Sequence, residues 1–315
     1  MQLDQLPSIE TTLENYRGRK VYFDLLKGNN GDILIELGSR HALERFGITT
    51  VDSPRQADLI FINGGGAMTR DWLVGFAALE KYNQSFPDIP LLVFPSTFDI
   101  NEVDFAHMFT KRRSPAWLYA REKFSLDCLK KVSFPCEVRL GLDHDMAFNL
   151  RNTPLLTKLR RTAKESHILI VERGDREAST EYSEAALAPR CIGTILKKGV
   201  PPIVKAPFKR WIIRNRASNT SFVRNTIERL LAEHPHLDEE ALFAGNISRK
   251  DAFSFNLFCR AVADARLVVT TRLHVAILAA MLGKRTYIQP GRPGYPKLQE
   301  VYNFSLRNLP NVQML

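Results

Sequence analysis

An α/β protein of two Rossmann-like domains facing a cleft is what the sequence predicts, on three observations. Short apolar runs alternate with segments of helical periodicity, and those runs lack the every-second-residue polarity of a half-exposed strand. At 315 residues the chain also exceeds one ordinary domain. Strands buried on both faces and separated by helices indicate parallel sheets with helices on either side.

The first β-rich run is KVYFDLL, from Lys20 to Leu26. It leads through the turn GNNGD into ILIELGSRHALERF, whose apolar residues recur at helical spacing. The unit repeats as ADLIFIN, GGG and a helix over 71–86, then as LLVF, PST and a short helix over 104–110. AWLYA and the helix-like REKFSLDCLKKV follow. After CEVRLGLDHDMAF the chain turns polar and basic, so a boundary is expected between Asn149 and Ser166, with domains at 1–150 and 151–315. The second half offers the strand HILIV, helical patterns over 221–232 and 252–265, and the strand RLVVTT. TTRLHVAILAAMLGK then reads as an amphipathic helix, followed by the strand TYIQP and a last helix over 297–302. The order within 175–217 is left unassigned.

A hydrophobic content of 44% with 25% charged residues is globular, and 17 Gly and 17 Pro are too few for low complexity. No stretch has signal-peptide or membrane-spanning length, which predicts a cytoplasmic protein. Cys128, Cys136, Cys191 and Cys259 have neither zinc-ligand nor redox spacing and read as reduced thiols. A net charge of +10 implies an anionic partner: nucleic acid, an anionic membrane or a phosphorylated substrate. The densest basic stretch, from Lys205 to Leu231, surrounds Trp211 and reads as a solvated surface or as a segment resting on a bilayer surface. It fits no nucleic-acid module, so no nucleic acid is expected.

Loops after parallel strands carry ligands, because the sheet opens at its carboxyl edge. In GNNGD, Asn30 and the small residues around it suit close approach of an anion or a sugar, while Asp32 serves equally as a helix cap or as a functional carboxylate. Gly64, Gly65 and Gly66 lack the spacings that bind ATP or NAD, and no cofactor is expected. Their freedom from side chains suits either a substrate-facing loop or tight packing. Asp143, His144 and Asp145 form a D-H-D cluster without further ligands at metal spacing, so no metal is expected. Arg173, at the end of HILIV, is placed to grip a carboxylate or phosphate. Thr271 reads as the N-cap of the following helix, with Arg272 and His274 at its entrance. Two cations beside a helix N-terminus, itself partly positive, are unfavourable unless an anion binds there.

Taken in order, NNGD, INGGG, REKFS, DMAF and TTRLHVAILAAMLGK resemble the motifs of the polysaccharide pyruvyl transferase family, from about Asn29 to Ile288. The chain looks closest to the ketal-forming enzymes of bacterial exopolysaccharide synthesis, such as succinoglycan assembly. It departs at Arg285, where the family often has proline after the glycine that ends the Arg-x-His helix, here Gly283. The resemblance implies a glycosyltransferase-B-like architecture. It implies phosphoenolpyruvate as donor and a saccharide as acceptor, with a lipid-linked oligosaccharide left open, and pyruvate delivered to two hydroxyls as a cyclic ketal. On that basis His274 is the acid/base, Arg272 and Arg173 hold phosphate and carboxylate, Arg121 assists, and Asp32 orients or deprotonates the acceptor hydroxyl. The competing readings are a glycosyltransferase with a nucleotide-sugar donor, and a non-catalytic protein that binds acidic polymers.

Overall fold

The computed structural model describes residues 6–101, 103–173, 221–233, 242–290 and 296–315. Cys191, Trp211 and the whole of 175–217 lie outside the described residues. The chain divides into two compact units, one holding Met1–Gly28, Asp32–Leu150 and Asn303–Ser305, the other Asn29–Gly31, Arg151–Tyr302 and Leu306–Leu315. Both are α/β, and among the described residues every strand-to-strand pairing is parallel.

Unit 1 begins with α1 (Ile9–Glu14), β1 (Lys20–Asp24), α2 (Asn30–Arg45), β2 (Thr49–Val51) and β3 (Leu59–Ile62). It continues through β4 (Gly65–Met68), α3 (Val74–Ser85), β5 (Leu91–Phe98), β6 (Ala116–Ala120), α4 (Lys123–Leu129) and β7 (Val138–Leu142). The strand order is β2-β1-β3-β5-β6-β7, with β4 pairing the end of β5. Alternate residues of one strand serve opposite cores, as the pleat requires. Ile60 and Ile62 pack with Phe76, Leu79 and Tyr82 on one face, while Leu59 and Phe61 pack with Leu13, Ile35 and Leu43 on the other. Burial on both faces is why LIFI shows no polar alternation. The glycines at 65 and 66, expected in a loop, open β4.

Unit 2 comprises α5 (Pro154–Arg161), β8 (His167–Val171), α6 (Ser221–Glu233), β9 (Leu242–Ala244), α7 (Phe255–Ala263), β10 (Ala265–Thr270) and α8 (Leu273–Met281). β11 (Arg285–Ile288), α9 (Lys297–Val301) and β12 (Val312–Met314) complete the unit, and a π-helical turn at Tyr302–Leu306 contains the three residues Asn303–Ser305 counted in unit 1. Its described sheet runs β12-β11-β10-β8-β9. Ile168, Ile170, Leu267 and Val269 pack with Phe222, Val223 and Leu230 beneath α6.

The two orders share one topology. In each unit the first strand has the second on one side and the third on the other, so the chain reverses its direction of winding there. Such switch points leave a crevice at the carboxyl ends of the strands. They fall between β1 and β3 in unit 1, and between β8 and β10 in unit 2.

Helix α8 differs from expectation. It is not amphipathic: eight of its nine residues are buried, and His274 alone is partly exposed. It packs against β10, β11 and α7, which leaves no polar face. No helix among the described residues is long and apolar enough to cross a membrane.

Candidate functional site

At the switch point of unit 2, β8 ends at Val171 and β10 at Thr270, paired in register. The backbone N–H of Thr271 donates to Val171 O at 3.1 Å, and the N–H of Arg173 donates to the Thr271 hydroxyl at 2.8 Å. Arg173 is thereby tied to the residue that precedes Arg272. Thr271 is not the helix cap. Its hydroxyl is committed to the neighbouring strand, and Arg272 takes the cap position with extended backbone angles. The Arg272 N–H donates to the Thr270 hydroxyl at 2.9 Å, while that hydroxyl donates to Val171 O at 3.0 Å.

Three residues predicted separately, Arg173, Arg272 and His274, thus belong to one strand-end edge. Arg272 is buried, Arg173 and His274 partly exposed. Two arginines and the N-terminus of α8 belong to this edge, groups of the kind that suit a small dianion such as a phosphate monoester. Glu172 is buried between Val171 and Arg173, a carboxylate at the same edge that sequence reasoning did not single out.

Unit 2 also contains Asn29–Gly31, the entrance of α2. Asn30 is fully buried, and its Nδ2 donates to Phe253 O at 2.8 Å and to Ile247 O at 3.2 Å. Its backbone N–H donates to Ser248 O at 2.9 Å. Asn30 is accordingly a clamp inside the fold. Gly31 lies against His274: a Cβ there would stand 2.6 Å from Nδ1 of the ring. Nothing in the sequence signals that contact, because the two residues share no element.

At the switch point of unit 1 the chemistry is different. Asp32 sits inside the first turn of α2, past the cap position, and is partly exposed. A Cβ on Gly28 would fall 1.9 Å from Asp32 Oδ2, so this glycine gives the carboxylate its room, whereas one on Gly65 would press on Ile35 Cδ1 at 2.7 Å. Gly65 also has φ +118°, a backbone state that side chains rarely adopt. Gly64 is packing glycine, since a Cβ would meet Pro95 O of β5 at 2.4 Å. Gly66 is partly exposed, and its carbonyl accepts from the Thr69 hydroxyl. The other carboxylate here, Asp24 at the end of β1, accepts the Tyr82 hydroxyl at 2.5 Å, and burial together with this bond raises the Tyr82 pKa.

Arg121 lies elsewhere, following β6. Its side chain is 1% exposed, with Nη1 donating to Asp145 at 2.6 Å, Nε donating to the Thr97 hydroxyl at 3.0 Å, and Glu122 at 3.6 Å. Glu122 in turn accepts from Ser125. The REKFS and DMAF motifs therefore meet as one buried ionic network. The D-H-D cluster disperses: Asp145 joins Arg121, Asp143 accepts the Ile9 N–H at 2.5 Å, and His144 stacks on Phe304 with Nδ1 2.8 Å from the Ser305 hydroxyl. Among the described residues no group of three His, Cys, Asp or Glu side chains is arranged to hold a metal. Cys128 and Cys259 are buried free thiols and Cys136 is half-buried.

Parallel sheets with strand-end switch points define a Rossmann-like α/β protein. Comparison with known families carries this further. Residues 10–288 match the polysaccharide pyruvyl transferase family, and the chain belongs to that family. It is thus a member of a transferase family whose name states pyruvyl transfer in polysaccharide synthesis. No curated protein matches it. Among solved structures, a functionally uncharacterised protein from Klebsiella pneumoniae subsp. pneumoniae is similar in fold, with TM-score 0.58 and 19% identity over 97% of this chain and 96% of that one.

Proposed function

We propose that the protein moves the pyruvyl group of phosphoenolpyruvate onto two hydroxyls of a saccharide precursor, forming a cyclic ketal and releasing phosphate. The observation that carries this reading is that Arg173, Arg272 and His274 share the switch point of unit 2, with the Arg173 backbone tied to the Thr271 hydroxyl. A donor with one carboxylate and one phosphate calls for two guanidinium groups and a helix N-terminus. A proton acceptor and donor beside them completes the need, and His exchanges protons near neutral pH.

In this reading His274 delivers a proton to the methylene carbon, making it a methyl group, and C2 becomes cationic. One acceptor hydroxyl attacks C2 and gives its proton back to His274. Phosphate then departs with the bridging oxygen, its charge offset by Arg272 and Arg173. The second hydroxyl closes the ketal, and its proton leaves on the phosphate. Asp32 orients or deprotonates an acceptor hydroxyl. Arg121 and Asn30, both enclosed, act on substrate only through the residues they hold. A lipid-linked acceptor, a cytoplasmic location and contact with the inner membrane belong to the same reading.

The test is incubation with phosphoenolpyruvate and candidate oligosaccharides, following phosphate release and the ketal's mass increment. Equimolar phosphate and ketal support the proposal. Sugar transfer from a nucleotide-sugar donor under the same conditions refutes it.

A further inference from the structure

The entrance of α2 touches the His274 ring, and the contact involves a residue with no side chain. Asn30 fixes that entrance by three hydrogen bonds into 247–253: from its N–H to Ser248 O, and from Nδ2 to Ile247 O and Phe253 O. Its side chain is wholly enclosed, so the clamp is not shared with solvent. Asn29 Oδ1 accepts the Gly31 N–H at 2.7 Å, which sets the next peptide. On Gly31 a Cβ would lie 2.6 Å from His274 Nδ1, 2.8 Å from its Cβ and 2.9 Å from its Cγ. Real Cβ atoms do not approach other atoms so closely, and two of these three belong to the ring itself.

We infer that Gly31, held by Asn30, is a positioning residue that seats His274 by its Nδ1 edge and leaves Nε2 as the atom that moves the proton. His274 has short reach, and its usefulness as an acid depends on where one nitrogen points. Misplacing such a group by about 1 Å costs on the order of a hundredfold in rate. α8 is buried around the rest of its surface, so the ring has one partly open side, and the backbone at Gly31 bounds it. The role assigned to Gly31 rests on the proposed function of His274, whereas the contact itself does not.

Gly31→Ala in the full-length protein tests both parts. Thermal unfolding of wild type, Gly31→Ala, His274→Gly and the double variant forms a cycle that needs no substrate. Gly31→Ala is expected to lower Tm with His274 present and to have little effect once His274 is Gly. Equal losses in both backgrounds would overturn the contact. If Gly31→Ala does not fold, recovery of the fold in the double variant supports the inference, and failure to recover overturns it. In the imidazole NMR spectrum, His274 should shift in Gly31→Ala while His41, His107 and His144 stay in place. With phosphoenolpyruvate turnover in hand, kcat should fall about a hundredfold with KM for phosphoenolpyruvate within about threefold. Unchanged kcat despite a shifted His274 signal would overturn the positioning role alone. Absence of turnover in wild type would count against the proposed reaction but not against the unfolding cycle.

Discussion

The two switch points share a strand order and differ in chemistry. In unit 2 the crevice edge carries Arg173, Arg272 and His274, whereas in unit 1 it carries Asp32 among glycines. Unit 1 has an arginine after a strand too, but Arg121 is sealed in the interior against Asp145 and Glu122. Parallel topology fixes where a ligand can sit, and the side chains at strand ends decide which ligand. An edge with two arginines suits an anionic ligand. A partly exposed carboxylate suits a hydroxyl group.

The comparison can be broken most forcefully at His274. His274→Ala should reduce turnover by roughly two to four orders of magnitude, the usual worth of general acid–base catalysis, with little change in Tm. Activity that survives the substitution would remove the imidazole from the chemistry. Second in size is Arg121→Met. It leaves Asp145 a buried charge without its closest cation, and the expected loss is about 3–5 kcal/mol in denaturant unfolding. A midpoint equal to wild type would show that Arg121 is not structural in the way its burial indicates.

Smaller effects sharpen the picture. Gly65→Ala should destabilise by about 1–3 kcal/mol, because φ +118° is strained for any side chain and the new Cβ would press on Ile35 Cδ1 at 2.7 Å. The smallest effect expected is a pH dependence at His167. Burial holds its imidazole below the ordinary value of 6.5, against the opposing hydrogen bond to Ala261 O and the charge of Asp264. The fold therefore prefers the neutral ring, and the unfolded chain takes up the proton first. Stability from this site is complete above about pH 6.5 and is lost as pH falls through the lowered value. Melting curves of His167→Gln should fall less steeply from pH 7 to pH 5 than those of wild type.

Much of this was legible in the chain. The strands β3, β5, β8 and β10 announce themselves as apolar runs, because burial on both faces suppresses polar alternation. β4 did not, since GGAM carries the residues of a turn, and β2 and β12 have three residues each, too short for any period to show. Arg272 and His274 were visible as an electrostatic oddity at a helix entrance. The cap is not legible in the sequence because the Thr271 hydroxyl accepts from Arg173, two residues beyond the end of β8. The burial of Arg121 was hidden for the same reason: its partner Asp145 lies 24 residues on and becomes adjacent only when β6 and β7 pair. Asn30 and Gly31 look like a turn in sequence, and only tertiary packing makes one a clamp and the other the seat of a histidine.

In the proposed reaction the switch point of unit 2 holds the phosphate and carboxylate of phosphoenolpyruvate. Thermal unfolding with and without phosphoenolpyruvate tests it directly, since a ligand at about 100 times its Kd stabilises the fold by about 2.7 kcal/mol. Phosphoenolpyruvate should raise Tm in wild type and in Asp32→Asn, and should leave it unchanged in Arg173→Ala and Arg272→Gln. An undiminished shift in both arginine variants, or stabilisation by a nucleoside diphosphate and not by phosphoenolpyruvate, would contradict the claim.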